Sequence, residues 1–460
     1  MKKNHSFPEA CLSAHPTRVQ LDYQQSEFNA LLCYGMPPFT GVQYGNGFTP
    51  ASSFWPEDFD ANILCDTIKA AGMSGVILIA KHYDGYCLWP TAKTDYSVRG
   101  STWRDGEGDF VAEVSAACRR YGLKFGVSVA PWDLHEPTYG TGRAYDDFFV
   151  GLLEELLTNY GDIFCVRFDG VCGAEKPQDY DWERYYATVR SLAPDAAISF
   201  AGPDIRYSGN DRGVTRKNEW SVIPASCGPD GDSDAGVMEL DLGSRKRIKN
   251  ETDFIWYPCE VAVPLRAHWF FTADDKYSSK TKDKLLDLYG RTVGSNANLL
   301  LGLSPDKKGR LDEVDDSILR SLGKDLELFY GFNLLSGHVK EIRTSSEYSE
   351  SDSGSCVRTD DMRTAWRPSD EDKKPFIEIE FNEEEAFDRI ILKELITNGE
   401  HVEEFAVFAK DAKGRMKRIA EGENIGHKKI FNLKPIKTSL VRIEFTAWRG
   451  FFELEYVLLN

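Results

Sequence analysis

The stretch SGVILIAKHYDGYCLW, residues 74–89, joins an apolar, β-branched run to a histidine, two tyrosines, an aspartate and a tryptophan. The run SGVILIA has no polar face, which is the pattern of a strand covered on both sides in a parallel sheet. Polar and aromatic groups that begin where such a strand leaves the core stand where an α/β barrel mounts its active site. Residues 74–89 therefore predict a barrel strand with His82 at its functional end.

The same grammar recurs along the chain. Apolar runs appear at ALLCYG (30–35), KFGVSVA (124–130), IFCVRFDG (163–170), AAISFAG (196–202) and NANLLLGL (296–303). Between them, Phe110, Val114, Ala117, Cys118 and Tyr121 share one helical face, as do Phe149, Leu152, Leu153, Leu156 and Tyr160. Strand and helix alternating at this rhythm predict parallel pairing with covered faces. No G-x-G-x-x-G follows any strand, so a closed (β/α)8-type TIM barrel is expected rather than an open nucleotide-binding sheet. The barrel is placed at 25–335, behind an N-terminal extension of residues 1–24.

Past residue 340 the period changes to two. PFIEIEFNEEE, FDRIILKEL and SLVRIEFTAWRGFFELEYVLL alternate apolar with polar residues and carry hardly any helical signal. They predict a C-terminal all-β sandwich over 356–460. The polar, serine-rich segment 336–355 reads as a mobile linker.

Composition narrows the function classes. The chain has 460 residues, 42% of them hydrophobic and 28% charged, which suits a soluble protein of two or three domains. A formal net charge of −18 opposes nucleic acid and anionic membranes as partners. The ten cysteines are scattered singly with no C-x-x-C, so they read as small buried hydrophobes. His135, Glu136 and Cys33 match no metal-ligand spacing, so no metal is expected of them. The N-terminus MKKNHSFPEACLSAHPTRVQ has no apolar core. Unless a leader has been removed, a cytoplasmic location is the expectation.

The chemistry collects at the predicted strand ends. His82 and Asp84 follow one run; Trp132, Asp133, His135 and Glu136 follow another; Asp169 closes IFCVRFDG. AGPDIRYSGND adds Asp204, Arg206 and Asp211, and WYPCEVAV adds Glu260. Carboxylates with aromatics at one rim suit a carbohydrate site, because sugar rings stack on aromatic faces and carboxyl pairs cleave glycosidic bonds. Such cleavage needs one carboxylate kept ionised and one carboxyl able to give a proton.

Five stretches in this order resemble the α-L-fucosidases of glycoside hydrolase family 29, nearest their α-1,3/1,4 subgroup. They are TIKAAGMSGVILIAKHYDGYCLWPTAKTDYSV, ACRRYGLKFGVSVAPWDLHEPTYG, LLTNYGDIFCVRFDG, GPDIRYSGNDRG and VGSNANLLLGLSPDKKGRL. The resemblance implies a retaining exo-glycosidase that acts on a small oligosaccharide without metal or cofactor, with Asp169 as nucleophile. YPCEVAVPLRAHW resembles the family's acid/base segment and implies that role for Glu260. WRPSDEDKKPFIEIEF and FDRIILKELITNGEHVEEF resemble discoidin-like modules, which bind sugar or brace the barrel; bracing is the expectation. The expected sugar contacts are Cys33, Gln43, Tyr44, His82, Tyr83, Trp89, Trp132, Arg167, Asp211 and Trp269. Some of them depart from the family pattern: Cys33 replaces a histidine, Gln43-Tyr44-Gly45 replaces Glu-Trp-Gly, Tyr83 replaces the second of paired histidines, and Arg167 replaces a tryptophan. Each lost charge-assisted bond costs about 1.5–3 kcal/mol. Two alternatives to a plain fucosidase therefore stand beside it: a glycosidase refitted for another L-sugar such as an α-L-galactoside, and a non-hydrolytic carbohydrate-binding protein. The oligomeric state stays open.

Overall fold

The computed structural model describes residues 7–170, 176–200, 202–229, 239–275 and 277–460. Eight parallel strands close a barrel: β1 (Phe28–Leu32), β2 (Gly75–Lys81), β3 (Lys124–Val129), β4 (Cys165–Phe168), β5 (Ala197–Phe200), β6 (Ile205–Tyr207), β9 (Cys259–Pro264) and β10 (Ala297–Leu303). A short antiparallel ribbon, β7 (Val222–Pro224) with β8 (Phe254–Trp256), is inserted before β9. Around the barrel the order is β1-β10-β9-β6-β5-β4-β3-β2.

The barrel explains why strands such as β1, β2 and β10 read as apolar runs. Leu31, Ile77, Ile79, Cys165, Ala197, Ile205, Ala262 and Leu300 pack together inside it. Their neighbours one residue away, among them Ala30, Leu32, Val76, Leu78 and Val166, pack outward under the helices. Both faces are buried, so no position is left for a polar alternation.

Two expected boundaries shift. The helix α1 (Arg18–Gln24), capped by a reciprocal Thr17–Gln20 box, places Tyr23 inside the barrel cluster, so the expected N-terminal extension is in part a component of the barrel. The expected linker contains the edge strand β11 (Val339–Thr344), which pairs with β12 (Phe376–Glu394). Its sequence VKEIRT hid this because an edge strand buries little and carries charge. The remaining strands are β13 (Val402–Lys410), β14 (Met416–Gly422), β15 (Lys429–Trp448) and β16 (Leu454–Leu459). They form an antiparallel sheet of order β11-β12-β15-β13-β14, with β16 also on β12. Trp366, Ile377, Phe405, Ile443 and Phe452 lie in its core.

The β domain meets the barrel at the end where the strands begin. Glu27 and Asn296, the residues before β1 and β10, both hold left-handed backbone at φ 49° and 69°. Glu27 Oε1 lies 2.9 Å from His427 Nε2, and its other oxygen accepts from the Lys428 ammonium. Burial opposes the charge of Glu27, yet Lys428, His427 and Lys393 hold its carboxyl well below the usual range. Asn296 accepts from the His427 N–H at 2.7 Å and donates to Glu400 at 2.9 Å. Removing one member of such a buried cluster leaves uncompensated charge. Glu27→Ala is expected to lower the unfolding free energy by about 3–5 kcal/mol in urea titration, with kcat per folded molecule unchanged.

Candidate active site

At the opposite end of the barrel, where the strands finish, lies a cavity of about 220 Å³. Two carboxylates, Asp169 and Asp211, reach it. Tyr44, His82, Tyr83, Tyr207 and Trp269 ring it, Leu31, Ile79, Phe200 and Phe270 give it carbon surface, and Arg167 completes the lining. Every one of these residues belongs to the barrel domain.

Asp169 stands just past β4 because Gly170 turns the chain there. Gly170 has φ +89°, and a Cβ on it would lie 1.9 Å from Tyr83 Cε1, so a side chain is excluded by conformation and by space. The Arg167 guanidinium pairs with Asp169 and also donates from Nε to Glu260 at 3.1 Å. Its face lies 4.5 Å from the ring of Phe200, which itself holds a rare φ of +67° and packs 4.7 Å from Tyr207. Non-glycine residues in that region are strained and collect at functional sites.

Asp211 rides the loop after β6. Asn210 closes this loop by accepting from Arg212 N at 3.1 Å and Val214 N at 3.0 Å while donating to Val214 O at 2.9 Å. The carboxylate of Asp211 then accepts from the Tyr207 hydroxyl and, at 3.1 Å, from Trp269 Nε1. At the loop's far end Glu219 is buried between Arg206 and Arg216, at 2.9 and 3.1 Å.

The rim after β2 is built on a buried ion pair. Lys81 Nζ lies 3.0 Å from Asp133 and donates to Ala130 O at 2.8 Å. His82 stacks on Tyr83 at 3.9 Å and meets Phe270 edge-on at 4.8 Å. Burial, helped by Lys81, pushes its imidazole down to about 3, so it is neutral at ordinary pH. Its Nδ1 is buried and has no hydrogen-bond partner among the described residues. The loop after β1 straps this rim. Gln43 binds both the carbonyl and the N–H of Phe270, at 2.6 and 3.2 Å. Gly45 and Gly47 lie against Asp84 and Leu134.

Tyr44, His82, Tyr83, Arg167, Asp211 and Trp269 thus meet around Asp169 as the sequence suggested. Five other expectations need correction. Glu260 is 0% exposed inside the barrel, with Tyr23 and Arg167 on its oxygens, and it does not line the cavity. Cys33 is buried with its thiol 3.5 Å from Leu31 O. Gln43 spends its amide on Phe270. Trp89 donates to Glu155 at 2.9 Å in the outer core, and Trp132 packs 4.9 Å from Tyr83 without lining the cavity. Of the other rim groups, Asp84 is buried beneath Gly45 and pushed up to about 7 by desolvation. Asp204 pairs with Arg190 at 2.6 Å. Tyr207, Phe200, Phe270, Leu31 and Ile79 were missed as lining residues; Tyr207 sits four before Asp211 in DIRYSGND, a spacing that signalled nothing by itself. Among the described residues, no group of three His, Cys, Asp or Glu side chains could hold a metal ion, and no helix is long and apolar enough to cross a membrane.

The alpha-L-fucosidase family model matches residues 21–329. The chain belongs to this family. As a member of it the protein is a glycoside hydrolase, and its residues 341–454 match the F5/8 type C domain, the discoidin-like module. The protein is 31% identical to Alpha-L-fucosidase 1 of Arabidopsis thaliana over 90% of this chain and 81% of the plant one. A Ruminococcus gnavus glycoside hydrolase family 29 fucosidase, solved in complex with fucose, superposes with TM-score 0.87 at 25% identity, covering 100% of this chain and 96% of that one. A glycoside hydrolase 29 family member from an unknown rumen bacterium gives 0.80 at 28% identity over 97% and 77%.

Proposed function

We propose that this family 29 protein is a retaining exo-α-L-fucosidase in which Asp169 is the nucleophile and Asp211 the acid/base. The observation that carries this reading is the convergence of these two carboxylates on one cavity the size of a single pyranose. Asp169 attacks the anomeric carbon while the bond to the leaving oxygen breaks, and Asp211 gives that oxygen its proton. The product is a fucosyl ester on Asp169. Asp211, now ionised, takes a proton from water, the water oxygen attacks the same carbon, and the ester bond breaks. Two inversions retain the configuration. Neutral His82 lines the cavity beside the sugar, and the charge developing on the ring faces Asp169.

The apolar side chains favour fucose over L-galactose. Leu31, Ile79, Phe200 and Phe270 offer carbon to a methyl group and no partner to an added hydroxyl. Cys33 and Gln43 lie off the cavity, so the contacts that the resemblance assigns to their positions are not made by these side chains. For the aglycone we favour α-1,3/1,4-linked branched oligosaccharides. Val42, Tyr44, Phe48 and Leu134 form an exposed apolar rim on the β1 and β3 loops, with Tyr44 continuing into the cavity. A leaving group with more than one sugar has surface to meet there. The test compares aryl α-L-fucoside with aryl α-L-galactoside, and a 3- or 4-linked fucosyl trisaccharide with a 2-linked one. At least tenfold higher kcat/KM for the first of each pair is expected; preference for the galactoside or the 2-linked sugar refutes the corresponding assignment.

A further inference from the structure

Glu260 has lost its expected role, yet its surroundings are too specific to be left as packing. Four polar side chains form a column from the base of the barrel to the cavity. The Tyr23 hydroxyl, carried by α1, donates to one oxygen of Glu260. The other oxygen accepts from Arg167 Nε at 3.1 Å. Arg167 Nη1 in turn pairs with Asp169. Exposure rises only at the top: the Glu260 and Arg167 side chains are 0% and 2% exposed, that of Asp169 22%.

We propose that Glu260, steadied by Tyr23, is a positioning residue that aims Arg167 and shares its charge, so that Asp169 is held in place without being quenched. The inference rests on Asp169 being the nucleophile. Arg167 alone with Asp169 would form a tight buried pair, and a carboxylate so stabilised is a poor nucleophile. Glu260 makes one cation serve two carboxylates, leaving the set a net negative charge that resides at the exposed end. The geometry enforces the sharing. Nε is committed to Glu260, the guanidinium face rests on Phe200, and only one edge can reach Asp169. Other ionisable groups face Asp169 from neighbouring elements: the Cys33 thiol of the β1 loop and the Tyr207 phenol of β6, both raised by burial and so protonated. His82 and Tyr83 of the β2 rim and Asp211 of the β6 loop share the cavity with it. His82 is neutral and the Asp211 carboxylate is taken up by Tyr207 and Trp269 rather than by Arg167, whose ion pairs among the described residues are with Asp169 and Glu260.

The test is the pH profile of kcat/KM on an aryl α-L-fucoside for wild type, Glu260→Gln, Arg167→Met and Tyr23→Phe. Without the Glu260 charge, Arg167 serves Asp169 alone, so the acid limb moves to lower pH by about one unit. The same variant loses roughly tenfold or more in kcat with KM little changed. Without Arg167 the acid limb moves to higher pH. Tyr23→Phe keeps every charge, so kcat falls a few-fold with the limb in place. Opposite displacements in the first two variants establish the charge sharing. Limbs that stay put, or move together, overturn it even if activity falls, because mere loss of packing would do that. Should Glu260→Gln not fold, the double variant Arg167→Met/Glu260→Met, which strands no buried charge, takes its place: an acid limb coincident with that of Arg167→Met supports action of Glu260 through Arg167, and a displaced limb overturns it. A wild type without fucosidase turnover would instead remove the assignment of Asp169, and this inference with it.

Discussion

Asp169→Ala is expected to cut turnover of an α-L-fucoside by about 10⁴-fold or more while leaving the thermal unfolding curve close to that of wild type. The covalent ester cannot form without that oxygen, and the variant must rely on water attacking directly. Asp169 is the outermost member of its ion cluster, so its removal leaves Arg167 still paired with Glu260 and no buried carboxylate stranded. The space and the freed edge of Arg167 should admit a small anion. Added azide is therefore expected to restore turnover and to yield β-L-fucosyl azide, one inversion in place of two. Recovery of the α-azide, or full activity without Asp169, would refute its role.

Asp211→Ala should divide substrates by their leaving groups. For a fucosylated oligosaccharide, whose departing alkoxide needs a proton, a loss of about 10²–10⁴ in kcat/KM is expected. α-L-Fucosyl fluoride departs with little help from an acid, so its loss should be far smaller, and deglycosylation should then limit the rate. The basic limb of the pH profile on the oligosaccharide should vanish with the acid. If this dependence on the leaving group appeared in Glu260→Gln instead, the two carboxylates would have to exchange roles, and the buried position of Glu260 would become the problem to solve.

That exchange marks where the sequence stopped being readable. Long apolar runs such as residues 75–81 announced the barrel because both faces of each strand are covered. β6 was invisible as a strand, being three residues with an arginine at its centre, and β9 was obscured by its own glutamate and a terminal proline. A glutamate inside CEVAV signalled that something charged was being stabilised. It could not say whether that partner was a substrate or Arg167, which lies 93 residues away in sequence. Asp211, in SGNDRG, was legible as a rim carboxylate and sugar contact but not as the acid, and only the fold brings Trp269 onto its carboxylate. Cys33 and Gln43 show the converse limit: a resemblance aligns positions, but side-chain direction decides which of them meet the sugar.

The junction at the base of the barrel bears on how the molecule is made. β1 and β10 pair with each other, Phe28 opposite Leu299, and the residues that lead into both are fastened by His427 and Lys428. A ribosome delivers the two strands well before it delivers their fasteners. The nascent barrel therefore has an unfinished seam at Glu27 and Asn296 throughout synthesis of most of the β domain, a period when chaperones and proteases compete for incomplete folds. That seam can close only once residues 427 and 428 are made, although no residue of the β domain lines the substrate cavity.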